Sequence, residues 1–141
     1  MPDVFTTTKR SEVMSHIRGS GNRDTELRMI SIFRRYHISG WRRKVRLFGK
    51  PDFVFPRQKI AVFVDGCFWH RHSGCKFAYT PKSRLEFWLP KFASNVARDK
   101  LVMRTLRRSR WKIVRVWECQ LTHRHSARVA TKISRALQSR D

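Results

Sequence analysis

Apolar and polar positions alternate along the chain in a way that predicts helices and strands in a definite order. Between Lys9 and Arg18, Val13, Met14 and Ile17 fall on one side of a short basic helix, which Gly19-Ser20-Gly21 ends. Asn22 is a good N-cap for a second helix to about Tyr36, whose apolar stripe is Leu27, Ile30, Ile32 and Phe33. From Trp41 to Phe48 the period becomes two, with Arg43 and Arg46 set against Val45 and Leu47, as in a half-buried strand. After Gly49-Lys50-Pro51 come a short strand, Asp52 to Phe55, a turn at Pro56 to Lys59, and a continuous apolar run, Ile60 to Val64, suited to a central strand. These three segments predict a meander.

Gly66 to Pro81 carries no period. Ser83 is the candidate cap of a long helix from about Arg84 to Ser109, with the stripe Leu85, Trp88, Leu89, Phe92, Val96, Met103 and Leu106. Pro90 falls inside it and predicts a kink or a late start. Lys112 to Trp117 reads as a strand, and a βαβ crossover would lay it parallel to Ile60–Val64. Ser126 to Leu137 reads as a basic closing helix. The predicted class is α/β, a mixed central sheet flanked by helices. No repeat or linker divides it, so residues 1–8 are expected to form a flexible arm and residues 9–141 a single domain.

Composition narrows the partners. The chain of 141 residues has a formal charge of +22, with 40% hydrophobic and 12% aromatic residues. That content argues against disorder, and a field of that size selects polyanions. Nucleic acid fits better than an anionic membrane, because the cations are not gathered on one amphipathic helix. The opening MPDVFTTTKR lacks an apolar segment and no run reaches membrane-spanning length, so neither secretion nor a membrane role is expected. Three cysteines, an odd number, fit metal binding in a reducing cytoplasm better than a disulfide framework.

The candidate chemistry is concentrated between Pro51 and Cys75. Only ten Asp and Glu residues occur. Asp52 opens one strand and Asp65 closes the next, which in a meander places both at one sheet edge; Glu26, near a helix start, is within reach of that edge. Clustered carboxylates with phosphate oxygens suit Mg²⁺. Taken singly, Glu26 also reads as a helix-dipole contact and Asp65 as a turn residue before Gly66. His70, five residues past Asp65, has the pKa range of a general base acting on water; a zinc ligand or a surface histidine are equal alternatives on sequence alone. Cys67, His72, Cys75 and Cys119 form a Cys₃His set suited to tetrahedral structural Zn²⁺, against the alternative of three buried thiols. Phe68 and Trp69, adjacent in a loop, are not expected to face one core, and with Trp88 they are candidates to wedge between base pairs. Trp88 equally fits the apolar stripe of its helix.

GKPDFVFP, FVDGCFWH, EFW, NVARD and RWKIVRVWE together resemble the very short patch repair (Vsr) endonucleases, over about Lys9 to Leu121. The resemblance implies a variant of the PD-(D/E)xK nuclease fold with a structural zinc. It implies an enzyme that nicks one strand of duplex DNA 5′ to the T of a T·G mismatch left by 5-methylcytosine deamination. By the same resemblance Asp52 is the Mg²⁺-binding aspartate, with the backbone carbonyl of Val64, which stands where some members have threonine. His70 is the general base, Glu26 the supporting glutamate, and Asp65 stands where some members have a second histidine. Cys67, His72, Cys75 and Cys119 are the zinc ligands, and Phe68, Trp69 and Trp88 the intercalating aromatics. Asn95, Arg98 and Asp99 fit the helix pattern, with no chemistry assigned. Expected partners are mismatched double-stranded DNA and, as candidates, mismatch-repair proteins, for a monomeric enzyme of a bacterial cytoplasm. The other readings are a same-fold restriction or homing-type nuclease that cuts paired duplex, and a non-catalytic zinc-stapled DNA-binding module.

Overall fold

In the computed structural model, which describes residues 23–139, a four-stranded mixed sheet lies between helices. The expected arm at residues 1–8, the helix at Lys9–Arg18 and the Asn22 cap lie outside the described residues. The elements are α1 (Arg23–Arg35), β1 (Arg42–Arg43), β2 (Phe53–Phe55), β3 (Ile60–Asp65), α2 (Leu85–Arg108), β4 (Lys112–Trp117) and α3 (Ser126–Gln138), with two short 3₁₀ turns between β4 and α3. The sheet order is β1-β2-β3-β4. β1, β2 and β3 form the antiparallel meander, and β4 pairs parallel to β3, from Ile60 opposite Lys112 to Asp65 opposite Trp117.

Side-chain alternation along the strands builds two cores. Ile60, Val62 and Val64 of β3, with Val114 and Val116 of β4, face α1 and α3 and join Met29, Phe33, Phe53, Phe55, Val129 and Ile133. Ala61 and Phe63, with Ile113, face α2 through Val102 and Leu106. β3 is thus covered on both sides, which is why it reads as a continuous apolar run rather than an alternating one. Phe33, Phe53 and Phe55 are fully buried and meet edge to face at 5.1 and 5.9 Å. Each such side chain contributes about 1.5–3 kcal/mol by burial.

Several sequence expectations change here. The strand expected over Trp41–Phe48 shrinks to two residues, because Lys44 takes a left-handed backbone (φ 55°) and breaks the extended run. Trp41 still packs, stacked on Phe33 at 5.3 Å. Leu27 is 48% exposed, and Met29 takes its place in the α1 stripe. Leu85 and Leu89, at 40% and 51%, also point away from the core, and Val102 faces it instead. Ser83 is not the cap of α2; Arg84 is, in a left-handed conformation without a side-chain capping bond. Pro90 sits within the first turns of α2 and does not end it.

One glycine sets how the β1–β2 connection approaches α2. Gly49 has φ +83°, and a Cβ there would lie 2.3 Å from Cγ1 of Val102. Only glycine lets the backbone lie against that helix face. Among the described residues, no helix is long and apolar enough to cross a membrane.

Candidate active site and metal cluster

Asp52 immediately precedes β2 and is buried, at 8% exposure. Its N–H donates to the Val62 carbonyl at 3.0 Å, and its Oδ2 accepts the N–H of Val64 at 2.7 Å. The carboxylate is therefore held against the end of β3, one peptide from Asp65. Glu26 of α1 is paired with the Arg43 guanidinium. Glu26 and Asp52 line a cavity of about 990 Å³ together with Arg43, Lys44, Arg46 and Lys50. Two acids in a basic cleft are suited to phosphate oxygens and a hard divalent cation.

His70 belongs to a neighbouring pocket of about 100 Å³, lined also by Gly49, Phe63, Asp65, Asn95 and Asp99. Gly49 lines this pocket while its chain neighbours Phe48 and Lys50 line the larger cavity, so one loop separates the two. His70 sits in a turn, its N–H donating to Gly66 O at 3.1 Å. Its Nδ1 lies 2.6 Å from Oδ2 of Asp99, and its Nε2 lies 3.8 Å from Oδ1 of Asp65, too long for a hydrogen bond. With the Asp99 oxygen as acceptor of this contact, Nδ1 is its donor.

Asp65 ends β3 with its side chain on the α2 side, 5% exposed as a residue. Burial raises its carboxyl pKa, with Asp99 acting the same way; His70 and Arg115 pull it down. The Arg115 guanidinium meets both acids, Nε to Asp65 Oδ2 at 2.5 Å and an Nη to Asp99 Oδ2 at 3.0 Å. Asp65 is thus brought to His70 and Arg115, while Asp52 is brought to Val64 and Glu26.

Asp99 and Arg115 are the residues that the sequence reading missed as participants. The sequence pattern gives Asp99 no chemistry, since its place on a half-buried helix face carries no sign of a partner 29 residues earlier. Arg115 did leave a trace: a charge inside KIVRVW, between two strand positions that are buried, Val114 and Val116.

Cys67, His72, Cys75 and Cys119 come together with their ligand atoms all within 4.8 Å of one another. His72 Nδ1 lies 3.7 Å from Cys67 Sγ and 3.5 Å from Cys119 Sγ. A tetrahedral zinc with Zn–S about 2.3 Å and Zn–N about 2.0–2.1 Å separates S from N by about 3.5 Å. The spacing of the donors therefore suits such an ion. Burial, and next the charge of Arg115, lowers the His72 pKa and favours the neutral imidazole that a metal requires. Burial raises the Cys67 thiol well above its ordinary range, the state a bound cation would reverse. Hydrogen bonds from His72 N to Cys67 O (3.1 Å) and Cys75 N to His72 O (3.3 Å) shape the loop around these donors.

Phe68 and Trp88 are buried and Trp69 is half-buried, all in one aromatic cluster with Phe92. The expectation that Phe68 and Trp69 face different surroundings is corrected: their rings meet edge to face at 5.6 Å, since a tight turn rather than a strand joins them. Arg71 braces this loop. It donates to the carbonyls of Phe68, Ala78 and Tyr79 and lies 3.8 Å from the Phe92 ring centroid.

Residues 2–76 match the family described as DNA mismatch endonuclease Vsr. The chain is 36% identical over 126 residues to the DNA mismatch endonuclease Vsr of Escherichia coli K12, covering 88% of this chain and 78% of that protein. It is 35% identical over 125 residues to the type II nicking enzyme V.XorIIP of Xanthomonas oryzae pv. oryzae, covering 86% and 88%. With the type II nicking enzyme V.NmeAIP of Neisseria meningitidis serogroup A it shares 38% over 127 residues, covering 88% and 87%.

Proposed function

Because the chain belongs to the Vsr family of DNA mismatch endonucleases, we propose that it nicks one strand of duplex DNA 5′ to the T of a T·G mismatch and so starts short-patch repair. The observation that carries this reading to residues is the pairing of His70 with Asp99 beside the buried Asp65, next to a basic cleft walled by Asp52 and Glu26. The type II nicking enzymes among its relatives fit cutting of one strand rather than two.

In this reading the proton on Nδ1 of His70 is held by Asp99, and Nε2 takes a proton from the attacking water. Such a base contributes about 10²–10⁴-fold. Asp52 and the Val64 carbonyl would hold Mg²⁺, which when bound neutralises charge developing on the phosphate. Arg43, Lys44, Arg46 and Lys50 bind the phosphate backbone, and Glu26 keeps Arg43 aimed at the cleft wall. Cys67, His72, Cys75 and Cys119 would hold structural Zn²⁺, tying the His70 loop to the end of β4 and making the domain a zinc-stapled variant of the PD-(D/E)xK fold. The cluster of Phe68, Trp69 and Trp88 would act as the wedge at a mispair, where unstacking is cheapest, with half-buried Trp69 as the inserting edge and buried Phe68 and Trp88 as its support.

The test is a nicking assay on matched duplexes carrying T·G or T·A at one site, with Mg²⁺ and with a chelator. The expected result is a single nick in the T·G strand with Mg²⁺ and none with chelator. Nicking that survives in both Asp52→Ala and His70→Ala, or cutting of paired duplex at the same rate, would overturn the reading.

A further inference from the structure

The side chain of Arg115 meets both acids that flank His70. It leaves β4 from the position opposite Phe63, on the α2 side of the sheet. Nε reaches Asp65 Oδ2 at 2.5 Å, at the end of β3, and an Nη reaches Asp99 Oδ2 at 3.0 Å, on α2. That same Asp99 oxygen receives Nδ1 of His70 at 2.6 Å. The other ring nitrogen faces Asp65 at 3.8 Å. The imidazole therefore stands between two carboxylates, and one guanidinium holds both.

We infer that Arg115 is a positioning residue for the nicking reaction: its planar fork fixes Asp65 and Asp99 on the two sides of His70 and thereby sets the direction of the imidazole. The inference rests on the reading of His70 as general base.

Geometry favours arginine specifically. Two acids on different elements must be met at once from one side chain, which suits a rigid fork of donors and not a single ammonium point charge. The fork is itself held. Its Cζ lies 4.1 Å from the Trp117 ring centroid, Trp117 stacks on His72 at 4.2 Å and 11°, and the Arg115 carbonyl accepts Lys132 Nζ at 2.6 Å. A strand position between buried Val114 and Val116 needs no charge for packing. A partly buried ion pair is also poor evidence for stability, since apolar residues of like volume often serve as well. What Arg115 supplies is order: without it Asp65 and Asp99 repel across the ring, and among the described residues Asp99 keeps only the imidazole as a donor.

The test uses the full chain with Arg115→Gln and Arg115→Lys, measured by single-turnover nicking of a T·G duplex and by equilibrium binding of the same duplex. For Arg115→Gln the rate should fall about 10- to 100-fold, the size of effect seen when a supporting shell is loosened, while the Kd stays within about threefold. Arg115→Lys should fall between, since an ammonium meets one acid at a time. In an Asp99→Asn background Arg115→Gln should cost little more, because both act through the same imidazole. A rate within about twofold of the parent, or losses that multiply independently with Asp99→Asn, would overturn the inference. If Arg115→Gln does not fold, Arg115→Lys alone decides, and a parental rate there refutes the fork. Should the parent fail to nick T·G duplexes, the functional reading falls by itself. The low-field Nδ1 proton resonance of His70 then judges Arg115: loss or exchange broadening in Arg115→Gln supports the fork, and an unchanged signal refutes it.

Discussion

Oδ2 of Asp52 accepts the backbone N–H of Val64 at 2.7 Å, across the β2–β3 pair. A side chain thus supplies the bond where the ladder ends, and the acid is oriented by the backbone of the strand that carries Asp65. Two substitutions separate its roles. Asp52→Asn keeps an oxygen that accepts from Val64, so stability should stay within about 1 kcal/mol while nicking is lost. Asp52→Ala leaves a buried N–H unpaired and should lose about 1–3 kcal/mol as well. Urea unfolding beside the nicking assay distinguishes the two.

Metal removal should act on the fold before it acts on chemistry. The purified chain is expected to carry one zinc by elemental analysis. Cys119→Ser should lower the melting temperature by about 10 °C or more, as expected when a structural ion worth several kcal/mol is lost. Its zinc content should fall in parallel. Retention of full zinc and parental melting would exclude Cys119 as a ligand.

Gly49→Ala tests the close approach of the β1–β2 connection to α2. A positive φ and a Cβ 2.3 Å from Val102 Cγ1 oppose the substitution. The expected loss is about 2–4 kcal/mol, from backbone strain plus overpacking. Val102→Ala in the same chain should return part of it by opening space, and a denaturation series on the double variant reads that directly.

Phe68 and Trp69 should separate stability from recognition. Phe68 is buried in the aromatic cluster, so Phe68→Ala should cost about 3–5 kcal/mol. Trp69 is half-buried, and Trp69→Ala should cost less while reducing the preference for T·G over paired duplex. Binding to the two duplexes, measured with thermal melting of each variant, gives both quantities. An unchanged preference in Trp69→Ala would remove it from the wedge.

How far the fold could be read from sequence depended on the range of the cause. β4 is found at its expected bounds, Lys112–Trp117, and parallel to β3, because a β-branched-rich run after a long helix has few alternatives. The Cys₃His group was legible because donor type is written in the residue itself, and the four do converge. The segment Trp41–Phe48 misled, since alternation says nothing of a left-handed backbone at Lys44. Asp99 and Arg115 were illegible as partners because their contacts join α2, β3, β4 and a loop, positions up to 50 residues apart. Only the folded sheet brings those side chains to one ring.

The turn from Gly66 to His72 carries the proposed base, His70, and candidate metal donors, Cys67 and His72, on either side of it, closed by two backbone bonds, His70 N to Gly66 O and His72 N to Cys67 O. Its length is consequently frozen: one inserted residue would shift imidazole and thiolate donors together. Ser73-Gly74 follows those closures but is spanned by a third, Cys75 N to His72 O, although a side chain at Gly74 would meet nothing within 4 Å. A residue added there would move Cys75 against the other three donors, so the limit on loop length runs on through Cys75.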